Sequence, residues 1–204
     1  ALGLRVSARL ARDNIARICA AAERAGATVT IDMEEPAAVE ATYALHADLR
    51  KDHPATGVVV QSYLLKAEEY CRALADCRVR LCKGAYRPPP GVAYRSAREV
   101  DRSFARCLRV LMAGPGYPMI ATHDPRLLEI AAALAVLHGR RPDRFEIQML
   151  YGVRPAEQRR LVRQGTPTRV YVPYGRDWYG YLMRRLAERP ANLAFFARSL
   201  ITRS

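Results

Sequence analysis

Six short runs rich in β-branched and other apolar residues recur along this chain, each followed by a longer stretch of helical pattern. That alternation restricts the fold more than any other feature of the sequence. The runs cover residues 28–32, 57–61, 78–83, 118–123, 144–149 and 168–172. Their shortness and composition favour strands over helices. Helix signals fall between them. Asp124 can cap free amides and Pro125 fits a first turn, after which Leu127, Leu128, Ala131, Leu134 and Ala135 repeat at helical spacing. Gly139 suits the end of that helix. Pro155 opens another before Leu161 and Val162, and Asp177 can cap a helix from Trp178 to about Glu188. Strand and helix in strict alternation predict a parallel sheet covered by helices.

An open doubly wound sheet and a barrel both satisfy that pattern, and the two faces of the strands discriminate between them. Side chains alternate across a strand. One face carries Thr30 and Asp32, Val59 and Gln61, Arg78 and Arg80, Ala121 and His123, Glu146 and Gln148, Arg169 and Tyr171. The other carries Val29 and Ile31, Val58 and Val60, Val79 and Leu81, Phe145 and Ile147, Val170 and Val172. The apolar face suits covering helices. The opposite face ends in a polar group strand after strand, which is how a barrel gathers a site at one mouth. The Gly-rich turn of a dinucleotide-binding sheet is missing after the first strand. The expected architecture is α/β, a distorted (β/α)8 TIM-type barrel with about six of its eight strands in this chain, as one partial domain over 1–204. Before residue 28 there is room for a helix.

Composition narrows the function classes. With 204 residues, 50% of them hydrophobic, the chain can bury one real core. It has no apolar run of about 18 residues and no signal-peptide pattern, so the expectation is a soluble, cytoplasmic protein. The net charge of +13, from 33 Lys and Arg against 20 Asp and Glu, raises the question of nucleic acid. The arginines are dispersed, however, with no basic tail and no aromatic interleaving, so a solvated Arg-rich surface is favoured and no nucleic-acid partner is expected. Part of the charge could serve an anionic cofactor or a membrane surface. Cys19, Cys71, Cys77, Cys82 and Cys107 lack CxxC spacing and read as buried thiols. His46, His53, His123 and His138 form no short metal motif, and no metal site is expected.

Several strand ends could carry chemistry. Asp32 could anchor a cation or act as a base; its bland alternative is to cap the next helix, as Glu34 or Glu35 also could. An inward Arg80 must be paired or meet an anion, and a structural Arg80–Glu146 pair is the competing reading. Lys83 follows on the same strand. Gly84 and Ala85 permit close approach of a ligand to the backbone, and Tyr86 offers an aromatic edge. His123 could be a base, a metal ligand or a hydrogen-bond donor to a cofactor. Glu146 and Gln148 are either cofactor contacts or partners for other buried polar groups. On the last helix Tyr181, Arg184, Arg185 and Glu188 share a face beside apolar Trp178, Leu182 and Leu186. Two adjacent arginines there suit a carboxylate, and a solvated face with an Arg184–Glu188 ion pair is the alternative.

Seven stretches in order and in register resemble the proline dehydrogenase family: 30–35 (TIDMEE), 59–63 (VVQSY), 80–86 (RLCKGAY), 121–124 (ATHD), 145–152 (FEIQMLYG), 169–175 (RVYVPYG) and 181–192 (YLMRRLAERPAN). The resemblance implies a distorted β/α barrel that holds FAD non-covalently. It implies oxidation of L-proline to Δ1-pyrroline-5-carboxylate, with electrons passed to a quinone at the membrane surface. The chain would then dock peripherally at the inner face of the membrane, and a downstream pyrroline-5-carboxylate dehydrogenase would be a partner. Carried over position by position, Asp32 and Arg80 are the catalytic pair, with Asp32 shaping the proline site and Arg80 beside the flavin. Met33, Gln61, Lys83, Gly84, Ala85, Thr122 and His123 are further flavin contacts. Tyr86, Leu150, Tyr171 and Tyr181 wall the proline pocket, and Arg184 and Arg185 clamp its carboxylate. Two departures accompany the match. The family's substrate-contacting Lys lies on an earlier strand than any here, and Cys82 replaces an aliphatic residue. Weak or no activity of this chain alone is therefore the expectation, which robust proline-dependent dye reduction by purified 1–204 protein would contradict. The competing classes are a barrel lyase or aldolase using Lys83 as a Schiff base, and a basic nucleic-acid-binding module.

Overall fold

The computed structural model describes residues 2–85, 88–175 and 179, and the chain divides into two compact units, Ala1–Val170 and Tyr171–Ser204. The strands are β1 (Thr30–Ile31), β2 (Gly57–Gln61), β3 (Arg78–Cys82), β4 (Tyr117–Ala121), β5 (Glu146–Leu150) and β6 (Thr168–Tyr171). The helices are α1 (Ala8–Arg24), α2 (Val39–Leu49), α3 (Ala67–Ala73), α4 (Ala97–Ala113), α5 (Pro125–Leu137) and α6 (Pro155–Arg163). The strands lie in one sheet in the order β1-β2-β3-β4-β5-β6, and the pairs from β1 to β5 are parallel. An order that never reverses is that of a barrel wall; a doubly wound sheet reverses at its switch point. Among the described residues no helix is long and apolar enough to cross a membrane.

Local chemistry sets the helix starts. Ser7 accepts from the Leu10 amide at the head of α1. Ser96 and Glu99 form a reciprocal capping box at the head of α4. Asp124 accepts from the Arg126 amide, with Pro125 in the first turn of α5, as its sequence predicts. Gly139, just past that helix, adopts φ +55°, a conformation costly for residues with a Cβ.

Register decides which side chains share a face. Val59 pairs with Arg80, Arg80 with Met119, and Met119 with Glu146, which makes one continuous inward layer. The next layer toward the C-terminal ends pairs Gln61 with Cys82 and Ala121 with Gln148. On the outer face Val60, Val79, Leu81, Ile120 and Ile147 are buried in one cluster with Phe104, Leu108 and Leu111 of α4 and Leu127 and Leu128 of α5. A second cluster joins Ala11, Ile15 and Cys19 of α1 to Ile31, Leu45 and Leu49.

The structure shifts several strand limits. Asp32, Lys83 and His123 fall just beyond the strands that present them. β5 begins only at Glu146, because Pro142–Arg144 form a 3-10 turn. On the outer face of the last strand Val170 is 38% exposed. Covering that face requires a following helix, and the predicted one at 178–188 lies outside the described residues, as does its Asp177 cap. Cys19, Cys71, Cys77 and Cys107 are buried thiols as expected, whereas Cys82 on the inner face is half-buried.

His46 of α2 is fully buried. Its Nε2 lies 3.0 Å from the Thr56 carbonyl, and its Nδ1 has no partner among the described residues. Burial lowers its pKa below the ordinary 6.5, against the Thr56 hydrogen bond and with help from Arg50. The native ring is therefore neutral where the unfolded one begins to protonate. The unfolded state binds more protons, so stability falls as pH drops below 6.5. Thermal midpoints measured across that range should decline for the parent chain and decline less steeply for His46→Gln.

Candidate functional site

Parallel strands in sequence order bring all their C-terminal ends to one rim. Around it stand Asp32 and Met33 after β1, Gln61 at the end of β2, and Lys83, Gly84 and Ala85 after β3. Thr122 and His123 follow β4, and Leu150 closes β5. Arg80 lies one layer deeper. Met33, Gln61 and Thr122 are buried, Lys83, Gly84, His123 and Leu150 are half-buried, and Ala85 is exposed. Tyr171 ends β6, belongs to the second unit and is 37% exposed. Tyr86, Tyr181, Arg184 and Arg185, with Glu188 and the neighbouring Trp178, Leu182 and Leu186, lie outside the described residues.

The inward arginine is paired, but not with Glu146. Arg80 Nη2 meets Asp32 Oδ1, and the Arg80 side chain is 17% exposed. Register explains the choice. Met119 stands between Arg80 and Glu146 in the same layer, whereas the loop after β1 carries Asp32 over the inner face. Asp32 is thus not a helix cap. The 3-10 turn Pro36–Ala38 follows Glu35 without any side-chain cap bond. Glu146, 3% exposed, accepts two bonds from Arg169 on the adjacent strand, at 2.7 and 2.8 Å, and one from Gln148 at 2.6 Å. Burial pushes its pKa up, yet the Arg169 and Gln148 hydrogen bonds prevail and the carboxyl ends below its ordinary value. Glu146 and Gln148 therefore satisfy each other and Arg169. Beneath them the Arg78 guanidinium lies 4.2 Å from the centroid of the Tyr117 ring.

The rim fits a flat, polar-edged heteroaromatic such as a flavin. The Gln61 side chain is 3% exposed, and its Oε1 is buried with no partner among the described residues. A buried carbonyl acceptor at a strand end calls for an N–H donor. Gly84 has φ +103°, and a Cβ there would clash with the Tyr63 ring. Only glycine lets this loop lie flat against that ring. Thr122 Oγ1 accepts from the Asp124 amide at 3.1 Å and keeps its own hydroxyl proton to donate. His123 is more constrained than its sequence context suggests. Its Nε2 accepts from the Leu150 amide at 2.9 Å, which assigns the ring proton to Nδ1 and occupies the nitrogen that a base or metal ligand would use.

Lys83 Nζ lies 2.5 Å from Asp101 Oδ1 and 3.3 Å from Asp124 Oδ2. A Schiff base needs an amine lone pair aimed at a carbonyl carbon; this nitrogen is aimed at two carboxylates, and the lyase reading loses its nucleophile. Arg126 at the start of α5 hydrogen-bonds Asp124 and, with Lys83, pushes its pKa down to about 2. An open groove of about 490 Å³ borders Lys83 and Gly84, with Tyr63, Pro88, Tyr94 and Arg95 among its walls. Sequence reading missed Asp101 and Tyr63. The Ser96-x-x-Glu99 signature would have fixed the start of α4 and placed Asp101 in its first turns.

Residues 2–198 match the family described as proline dehydrogenase. The chain is 41% identical over 196 residues to Proline dehydrogenase 2 of Bacillus subtilis, covering 95% of this chain and 65% of that protein. It is 38% identical over 194 residues to Proline dehydrogenase of Deinococcus radiodurans, covering 92% of this chain and 62% of that protein. The chain thus spans just under two thirds of these relatives. Among solved structures, proline utilization A from Bdellovibrio bacteriovorus superposes with a TM-score of 0.81 at 25% identity, over 88% of this chain and 22% of that one. Proline utilization A from Bradyrhizobium japonicum gives 0.80, also at 25% identity, over 95% of this chain and 23% of its own.

The Glu146–Arg169 pair joins β5 to β6 with one partner buried and the other 60% exposed. Breaking a fully buried pair costs about 3–5 kcal/mol, and solvent on the arginine reduces this, so Glu146→Gln should lower the unfolding free energy by roughly 2–3 kcal/mol. Chemical denaturation with an unchanged m-value would check it; a change below about 0.5 kcal/mol would mean that the pair is solvated in solution.

Proposed function

Because the chain belongs to the proline dehydrogenase family, we propose that its strand-end rim binds FAD and that it takes part in oxidising L-proline to Δ1-pyrroline-5-carboxylate. The observation that carries this reading is the rim itself: the orphaned buried Gln61 acceptor, the glycine-only approach at Gly84 and the charged Arg80–Asp32 pair stand at neighbouring strand ends.

The oxidation removes a hydride from the carbon next to the ring nitrogen and a proton from the nitrogen. FAD, when bound, supplies the hydride acceptor. The chain's own residues position and polarise. Arg80 places a fixed positive charge where electron density accumulates, and Asp32 holds that guanidinium in place. Gln61 would accept a hydrogen bond from the cofactor, Thr122 and the His123 Nδ1–H would donate to it, and Met33 would pack against it. Lys83 brings positive charge, while Gly84 and Ala85 let the backbone come close. Arg184 and Arg185 take the substrate carboxylate in a bidentate clamp, and Tyr86, Leu150, Tyr171 and Tyr181 exclude water from the reacting carbon. Electrons leave to a quinone at the inner face of the membrane, and the product passes to a dehydrogenase acting on pyrroline-5-carboxylate.

The test is a visible spectrum of the purified chain after addition of FAD and gel filtration, then after addition of L-proline. A retained flavin band that bleaches slowly with L-proline is the expected result. Bleaching should slow by on the order of 10² to 10³ in Arg80→Met at unchanged flavin content, as when one preorganised charge donor is removed. A chain that retains no flavin would sink the reading.

A further inference from the structure

We propose that Asp101 of α4 is a positioning residue for this site: it holds Lys83 and, with Arg126 and Asp124, locks the loop after β3 to the loop after β4. The proposal rests on the flavin reading of the rim and extends it to a residue that touches none of the reacting groups.

The geometry is a ring of alternating charge. Lys83 Nζ meets Asp101 Oδ1 at 2.5 Å and Asp124 Oδ2 at 3.3 Å. Arg126 Nη2 closes the ring on Asp101 Oδ2 at 3.2 Å and Asp124 Oδ2 at 3.1 Å. Three of the four side chains are largely withdrawn from water: Lys83 is 27% exposed, Asp101 23% and Asp124 12%. Asp101 Oδ1 is buried and makes no hydrogen bond among the described residues, so the Lys83 ammonium is the charge that compensates it. Asp124 also accepts from Lys83, at 3.3 Å, but its carboxylate caps α5 and bonds the Arg126 side chain as well, so Asp101 supplies the shorter contact.

Asp101 is itself held firmly. The capping box Ser96–Glu99 fixes the start of α4, the Ser62 hydroxyl at the end of β2 donates to the Val100 carbonyl at 3.4 Å, and Ser103 and Phe104 are buried. The register of β3 with β4 ends at the pair Leu81–Ile120. Beyond that pair the strands diverge into the two loops that carry Lys83, Gly84 and Ala85 on one side and Thr122 and His123 on the other. The charge ring spans that gap. An asparagine at 101 keeps the shape but removes the charge, and can turn an N–H donor toward an ammonium that has only donors. Lys83 would then swing away, and Gly84 next to it would lose its fixed approach to the rim.

The experiment follows Lys83 directly and through the cofactor. The chain has three lysines, and Lys51 and Lys66 are exposed internal references. Competitive acetylation with mass spectrometry should show Lys83 protected in the parent and several-fold more reactive in Asp101→Asn, with protection largely restored in Asp101→Glu. In flavin titration, Asp101→Asn should raise the FAD Kd about tenfold, the order expected when one partly buried ion pair is released. In a Lys83→Met background the same substitution should change the Kd by less than about twofold, because its effect runs through Lys83. Unchanged Lys83 labelling in Asp101→Asn, or a loss that multiplies in full on Lys83→Met, would overturn the proposal. If labelling responds but neither parent nor variant takes up FAD, the flavin reading falls, and Asp101's role toward the cofactor falls with it.

Discussion

A guanidinium on the inner face of a parallel sheet must find an anion, and where it finds one is decided by register. In this protein Arg80 is flanked in its layer by Val59 and Met119, both apolar. The Asp32 carboxylate reaches it from the loop after β1. That pairing leaves Glu146 to Arg169 and Gln148, so the charges of the inner face divide between two groups, one on the β1–β3 side of the sheet and one on the β5–β6 side. The two groups differ in their carboxylates: that of Asp32 is 57% exposed, whereas that of Glu146 is 4% exposed. Had Arg80 paired with Glu146, both charges would sit inside the sheet, and Asp32 and Arg169 would each need another partner.

The helices enter the chemistry by the same logic of compensation. α4 and α5 bury their apolar faces against the outer side of β3 and β4, which brings their N-terminal ends to the rim. Those ends carry Asp101, Asp124 and Arg126, whose charges answer Lys83. Outer-face packing therefore fixes the polar frame of the inner rim. A substitution in the Phe104 and Leu108 cluster would be felt at Lys83 through the tilt of α4.

Much of this was legible in the chain itself. Strand positions follow from short β-branched runs, and helix starts at Asp124-Pro125 and Pro155 follow from capping and the fixed φ of proline. The inward placement of Gln61, Arg80 and Glu146 follows from simple alternation. Partners were not legible. Arg80 with Asp32, Lys83 with Asp101 and His123 with Leu150 are contacts across 48, 18 and 27 positions of sequence, and alternation gives a side chain's face without its neighbour. Strand ends were also blurred by a residue or two, since the last polar residue of a run can as readily begin a loop.

By itself the sequence determined an α/β chain of six parallel strands with a polar inner face and an apolar outer one, because side-chain alternation and helical spacing are local properties. It also determined the family, because seven motifs in order are a property of the linear text. Only the tertiary structure decided that the strands run in unbroken order as a barrel wall. It alone decided which of several inward charges neutralise one another, that His123 accepts rather than binds a metal through Nε2, and that Lys83 is a held cation rather than a nucleophile. Those outcomes depend on register and on distances of a few ångströms between segments far apart in the chain, and Coulomb energy and hydrogen bonding act only at that range.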